Sequence, residues 1–419
     1  MQFITENLAK VHQISPLHGL TNDELKPLLT SFETIYQKVK SRDQGFWNLP
    51  KQDISGILEF AKTVKDEYSD IVILGIGGSM LGPICILGAF ENKIDSNLKI
   101  HCLDNIDSDQ IALLEQKINL KKTLFLVQTK SGTTPETLAQ YFYFRDLVVE
   151  SGLKIQEHFT FVTDPIAGYL RKIVTQENIP NFAIPENVGG RFSVLCPVGL
   201  LISALIGLDI TAMLKGAENA LSSDGLQSSF RLAIIQFLLS KKGKNINVLM
   251  PYSTRLRLLA NWYTQLLSES VGKEFDLDGN LVNAGITPLP ALGATDQHSQ
   301  LQLFKEGPND KLLIFINVQN PQNKVKISDN LPNDFLYLQN KSFQDLLQAE
   351  FSATVQSLTE SGRPNVTLQI EKLDENSLGK LFMFLQTSVA FLGELLNINT
   401  FDQPGVERSK VLTREFLAK

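Results

Sequence analysis

Thr129-Lys-Ser-Gly-Thr-Thr134 sets four hydroxyls and one ammonium within six residues, behind the apolar run 123–128 and directly ahead of Pro135. Pro135 suits the first position of a helix, with Thr134 as its N-cap. A helix start offers unpaired N–H groups and partial positive charge, so Thr129, Lys130, Ser131 and Thr134 form a candidate phosphate cradle. An ordinary N-cap with a solvated Ser/Thr loop uses the same residues. A second turn, Gly75-Ile-Gly-Gly78-Ser79-Met, also follows an apolar run. Its glycines allow close backbone approach to a ligand, and Ser79 is read as an N-cap with Pro83 in the first turn. Met80 stands where a dinucleotide fingerprint needs its third glycine, which weakens that reading even with Asp104 as a ribose acid.

Four charged or titratable residues could act on a ligand held there. Arg191 follows Gly189 and Gly190, so a fixed cation on a pliant backbone could stabilise anionic oxygen; an exposed arginine in a turn is the plainer alternative. Glu269 lies where a helical pattern runs out before Gly272. A carboxylate at the negative end of a helix dipole suits a general base, and a solvated pair with Lys273 is the duller reading. His298, one of five histidines, sits among polar groups in Asp296-Gln-His-Ser and could shuttle protons or be structural. Lys410 follows the turn around Gln403 and could point into a cleft or into solvent.

These residues need elements to position them. Apolar runs at 71–74, 98–103, 123–127 and 159–163 alternate with helical patterns such as 111–120 and 138–149. That rhythm predicts βαβ units and a doubly wound parallel sheet, whose ligands collect at the strands' carboxyl ends. A second series has runs at 246–250, 312–318 and 366–370 with a helix over 256–267, and a terminal helix starts near Val406. The expected organisation is an N-terminal helical arm over 1–45, one α/β domain over 46–214, a second over 215–400 and a C-terminal helix over 401–419.

A chain of 419 residues exceeds one typical core. A net charge of -6 disfavours nucleic acid and anionic membranes as partners, so an anionic substrate needs a local cluster. Cys85, Cys102 and Cys196 lack paired spacing and neighbouring histidines, which argues against disulfides or a zinc site. The start MQFITENLAKVHQ lacks the pattern of a signal peptide, and the apolar stretch 194–208 is broken by Pro197, Gly199 and Ser203. It reads as a buried helix, and the chain as cytoplasmic.

In order, GIGGS, TKSGTTPET, ENVGGRFS, ESVGK, DQH and FDQPGVERSK resemble the motifs of the phosphoglucose isomerase family from about residue 70 onward. The resemblance implies two sugar-isomerase domains of doubly wound type, a dimer, no metal or other cofactor, and interconversion of hexose 6-phosphates. It implies that Ser79, Thr129, Lys130, Ser131 and Thr134 bind the sugar phosphate, that Gly78 and Gly190 allow close approach, and that Gln403 positions substrate. It further implies Glu269 as the base between C1 and C2, Arg191 beside the enediolate, and His298 with Lys410 as ring-opening groups, the histidine coming from the neighbouring subunit.

The match has departures. Many members carry SKTFTT where this chain has TKSGTT, which keeps the donors but introduces Gly132. Pro404 replaces a frequent aromatic, and the chain is short for the family.

Overall fold

The computed structural model describes residues 9–64 and 66–419, so the first eight residues of the N-terminal arm lie outside the described residues. The chain divides into two compact units: residues 43–218, and residues up to 42 combined with 219–419.

The unit of residues 43–218 is built on five parallel strands, β1 (Asp70–Leu74), β2 (Lys99–Leu103), β3 (Thr123–Thr129), β4 (Phe159–Thr163) and β5 (Asn181–Ala183), in the order β2-β1-β3-β4-β5. Every residue of β1 and β3 is buried, as a parallel strand covered on both faces requires. Val72, Leu74, Phe125, Val127, Phe159 and Phe161 form one core with Tyr141, Phe144 and Ile173 of the helices Pro135–Glu150 and Tyr169–Glu177. Alternation leaves Ile71, Ile73, Leu124 and Leu126 for the other face. The helix Pro197–Leu205, from the stretch read as a buried helix, packs against Ser55–Thr63 and Leu81–Ala89. The chain reverses its direction of winding between β1 and β3, so the loops after these strands diverge and leave a crevice.

The other unit contains β6 (Ile246–Tyr252), an antiparallel ribbon of β7 (Lys273–Phe275) and β8 (Leu281–Ala284), and then β9 (Thr287–Pro290), β10 (Lys311–Val318) and β11 (Asn365–Ile370). Its main sheet runs β11-β10-β6-β9 with all strands parallel. Met250, Tyr252, Leu313, Phe315 and Phe351 fill one core. The helices Ser223–Lys241, Arg257–Val271 and Glu375–Leu395 pack together. Glu375–Leu395 is long and apolar enough to cross a membrane, but 89% of its apolar window is buried inside the protein.

Residues 9–42 belong to this second unit. Asn22–Leu29, opened by a capping box at Thr21, packs on Ser223–Lys241, and Phe32–Lys40 packs on Glu375–Leu395. The Phe32 ring lies 5.5 Å from Phe230 and 6.1 Å from Phe391, and Arg42 Nε donates to Glu394 Oε1 at 2.7 Å.

Candidate active site

At the β1/β3 crevice the hydroxyl turn leaves β3. Thr129 Oγ1 and Thr134 Oγ1 share a hydrogen bond of 2.6 Å, and Ser131 Oγ lies 3.4 and 3.3 Å from them. The Thr133 N–H and hydroxyl both donate to Ser131 Oγ, at 3.2 and 3.1 Å. Thr134 is the N-cap of Pro135–Glu150, as its spacing predicts, but its hydroxyl caps no N–H of the helix. The hydroxyls therefore bond to one another, and the start of a 16-residue helix is left without a side-chain cap. An anion with several oxygens suits that arrangement: it accepts from hydroxyls and N–H groups at once.

The turn is held from the neighbouring loop. Gly132 has φ +62°, in the region that favours glycine, and its carbonyl accepts the Tyr169 and Leu170 N–H groups at 3.0 and 3.2 Å. Thr163 Oγ1 donates to the Thr129 carbonyl at 2.8 Å, and the Asp164 N–H to the Lys130 carbonyl at 3.1 Å. Gly132 thus sits in an anchored turn. Lys130 is half-buried, and burial pulls its pKa below the ordinary lysine value although Asp164, Cys196 and Glu186 pull the other way. A desolvated ammonium gains more than a solvated one from an arriving anion.

The second turn differs from its expected form. Ser79 ends a 3-10 turn, Gly77–Ser79, and the helix that follows starts at Leu81 behind Met80, so Ser79 is not its N-cap. The turn itself lies against Gly190–Phe192. A Cβ on Gly78 would lie 2.3 Å from the Gly190 carbonyl, so only glycine allows this packing. Ser193 Oγ donates to the Gly190 carbonyl at 2.7 Å and reaches the Gly78 carbonyl at 3.4 Å. Arg191, read alternatively as an exposed turn residue, is only 3% exposed, with its guanidinium carbon 5.6 Å from the Phe192 ring. Residues 43–218 therefore gather Gly78, Ser79, Thr129, Lys130, Ser131, Thr134, Gly190 and Arg191 around neighbouring turns.

Glu269, His298, Gln403 and Lys410 belong to the other unit. Glu269 sits in the last turn of Arg257–Val271, with Gly272 ending the helix as expected. Gln265, one turn earlier, donates to the Glu269 carboxylate at 3.0 Å. Lys273 is buried rather than solvated, and its ammonium donates to the Glu269 carbonyl at 2.5 Å and to the Asp402 carbonyl at 3.0 Å. The base candidate and the Gln403 turn are thereby tied together. His298 ends the short turn Thr295–His298 and is exposed, while Asp296 anchors that turn through the Leu292 N–H at 2.7 Å. Lys410 is exposed on Glu407–Leu417 and pairs with Glu407 at 2.7 Å.

Sequence reasoning missed Gln265, Ser193 and the role of Lys273. Gln265 was legible as an i, i+4 partner of Glu269. Lys273 was legible as a neighbour of Glu269, but not its burial or its reach to the Asp402 carbonyl 129 positions away, and Ser193, acting on backbone carbonyls, leaves no mark in the side-chain pattern.

Comparison with known proteins agrees over nearly the whole length. Residues 4–419 match the family described as Phosphoglucose isomerase. A glucose-6-phosphate isomerase of Carboxydothermus hydrogenoformans is 39% identical over 405 residues, 92% of this chain and 87% of that protein. A crystal structure of a hypothetical protein from Thermus thermophilus superposes with TM-score 0.86 at 36% identity, covering 94% of this chain and 97% of the other. The structure of a glucose-6-phosphate isomerase from Chlamydia trachomatis shares the fold, with TM-score 0.83 at 22% identity over 100% of this chain and 93% of the other.

Proposed function

Because the chain belongs to the phosphoglucose isomerase family, we propose that it interconverts glucose 6-phosphate and fructose 6-phosphate through an enediolate, as an isomerase of central sugar metabolism. The observation that carries this reading is the family match over residues 4–419, on a chain that also presents an uncapped helix start ringed by hydroxyls.

The substrate phosphate is held by Thr129, Ser131, Thr134, Ser79 and Lys130, with Gly78 and Gly190 leaving room for it. Binding energy spent on this remote group fixes the reacting carbons in register. His298 and Lys410 move protons at the ring oxygens to open the sugar, and Gln403 helps orient it. The Glu269 carboxylate then takes the C2 proton of the open aldose. The C2–H electron pair becomes the C1–C2 double bond, and the carbonyl pair moves onto O1. Arg191 stabilises that negative oxygen. Glu269 returns the proton to C1 while the O2 hydroxyl proton passes to O1, which leaves the ketose with atoms and electrons balanced.

The reading includes a cytoplasmic homodimer in which His298 serves the neighbouring subunit's site. Its support is the exposure of His298 and of the last helix. No residue of Glu407–Leu417 is buried, and Phe416 and Leu417 are 66% and 83% exposed.

Turnover of fructose 6-phosphate, coupled to oxidation of the glucose 6-phosphate formed and run with and without chelator, tests the reading. Activity in both conditions is expected, with Glu269→Gln folded, still binding the sugar phosphate and inactive. Near-normal turnover by Glu269→Gln would remove it from the mechanism.

A further inference from the structure

Lys273 opens β7 two residues beyond the end of Arg257–Val271, yet its side chain is only 5% exposed. Burying an ammonium is costly unless its protons find acceptors. Here they go to two backbone oxygens from distant parts of the sequence, the Glu269 carbonyl at 2.5 Å and the Asp402 carbonyl at 3.0 Å, with the Asp402 carboxylate at 3.7 Å. The first is one of the carbonyls that a helix end leaves without an intrahelical partner, and a cation there opposes the negative end of the dipole. A lysine that served only as a helix cap could do so from solvent. This one is buried and reaches the residue before Gln403 as well.

We infer that Lys273 is a positioning residue of the isomerase site: by clamping the Glu269 backbone to the Asp402 backbone it sets the register between the base and the Gln403 turn. The inference rests on the roles proposed above for Glu269 and Gln403. Gln265, donating to the carboxylate at 3.0 Å, fixes the side chain, while Lys273 fixes the backbone that carries it. The clamp acts on the transfer step more than on binding, because the phosphate grip is made by other residues.

The test uses the full-length enzyme with Lys273→Met, which keeps most of the side chain's volume and removes its donors. A displacement of about 1 Å at the base costs on the order of a hundredfold in rate, so kcat is expected to fall about ten- to hundredfold. KM for fructose 6-phosphate should change by less than about threefold, since lost transition-state geometry appears in kcat. Turnover in D2O should place more deuterium in the product, because a carboxylate free to swing exchanges its proton before returning it. Lys273→Gln, which restores a neutral donor, should recover part of kcat, and it is read by the same measures if Lys273→Met does not fold. A kcat within about twofold of the parent, or an unmoved deuterium content, overturns the inference. An inactive Glu269→Gln beside an unimpaired Lys273→Met removes Lys273 alone from the site; an active Glu269→Gln removes the base and the inference with it.

Discussion

Gly78 faces the Gly190 peptide so closely that a Cβ at position 78 would lie 2.3 Å from the Gly190 carbonyl carbon and oxygen and 2.8 Å from the Arg191 nitrogen. Both neighbours are backbone, which cannot swing aside as the end of a side chain can. Gly78→Ala must push away the turn that carries Arg191, so kcat/KM is expected to fall about a hundredfold, with a lower Tm. Gly190 is different: a Cβ there meets nothing within 4 Å. Gly190→Ala should therefore keep its Tm yet lose activity, because the role proposed for Gly190 places substrate in the open space in front of it. Equal losses of Tm in the two variants would contradict this.

Thr134 occupies a cap position without capping, since its hydroxyl bonds to Thr129 at 2.6 Å. Replacing a capping threonine usually costs about 0.5–2 kcal/mol. Thr134→Val should cost less than that in a urea titration. Its effect should fall on the KM for fructose 6-phosphate, raised about tenfold, with kcat less affected, as expected for a contact made equally in ground and transition states.

Lys130 should be a functional cation kept at the expense of stability. Burial lowers its folded pKa below the ordinary 10.5, so at neutral pH both folded and unfolded chains hold the proton and the folded one bears the desolvation cost. As pH rises through the folded value the native state sheds its proton first, and that cost is relieved. Lys130→Met should accordingly raise Tm at pH 7, by an amount that shrinks as pH approaches 10.5, while KM rises sharply. The parent enzyme's KM should also climb at an alkaline pH below 10.5. A lower Tm for Lys130→Met at pH 7 would contradict the sign.

Asp70, 1% exposed at the start of β1, accepts from His101 Nε2 at 2.9 Å and from Ser69 Oγ at 2.7 Å. Burial works to raise its pKa, but these partners and the Asn119 N–H outweigh it and hold the carboxyl below 3.8. A depressed acid stabilises the fold above its unfolded pKa and loses that contribution as pH falls through the folded value. Asp70→Asn should cost about 1–3 kcal/mol at pH 7 by urea unfolding, and the gap from the parent should close in strong acid. A gap that stays constant with pH would count against the charged form.

Much of the first sheet was legible because β1 and β3 are continuous apolar runs, buried on both faces. The edge strands β5 and β9 were not, although β2 and β11, at the opposite edges, were. β9, Thr-Pro-Leu-Pro, carries two prolines, which a strand tolerates only where half its backbone faces away from a partner, and β5 is three residues long. The Ser79 cap was misplaced because a 3-10 turn inserts ahead of the helix, a choice made by packing against Gly190 rather than by local preference. The burial of Arg191 and Lys273 was equally hidden, since local sequence does not record which distant backbone covers a side chain. The docking of residues 9–42 onto helices more than 180 positions away carries no periodic signal at all.

That docking makes residues 43–218 an insertion, entered and left through the same neighbouring unit. On the ribosome the inserted sheet is complete in sequence by Glu218 and free to fold, whereas Phe32 must wait for Phe391 to be synthesised. The earliest helices of the chain are thus among the last to find their seat, and a chain truncated before Glu375–Leu395 would leave them with nothing to settle on.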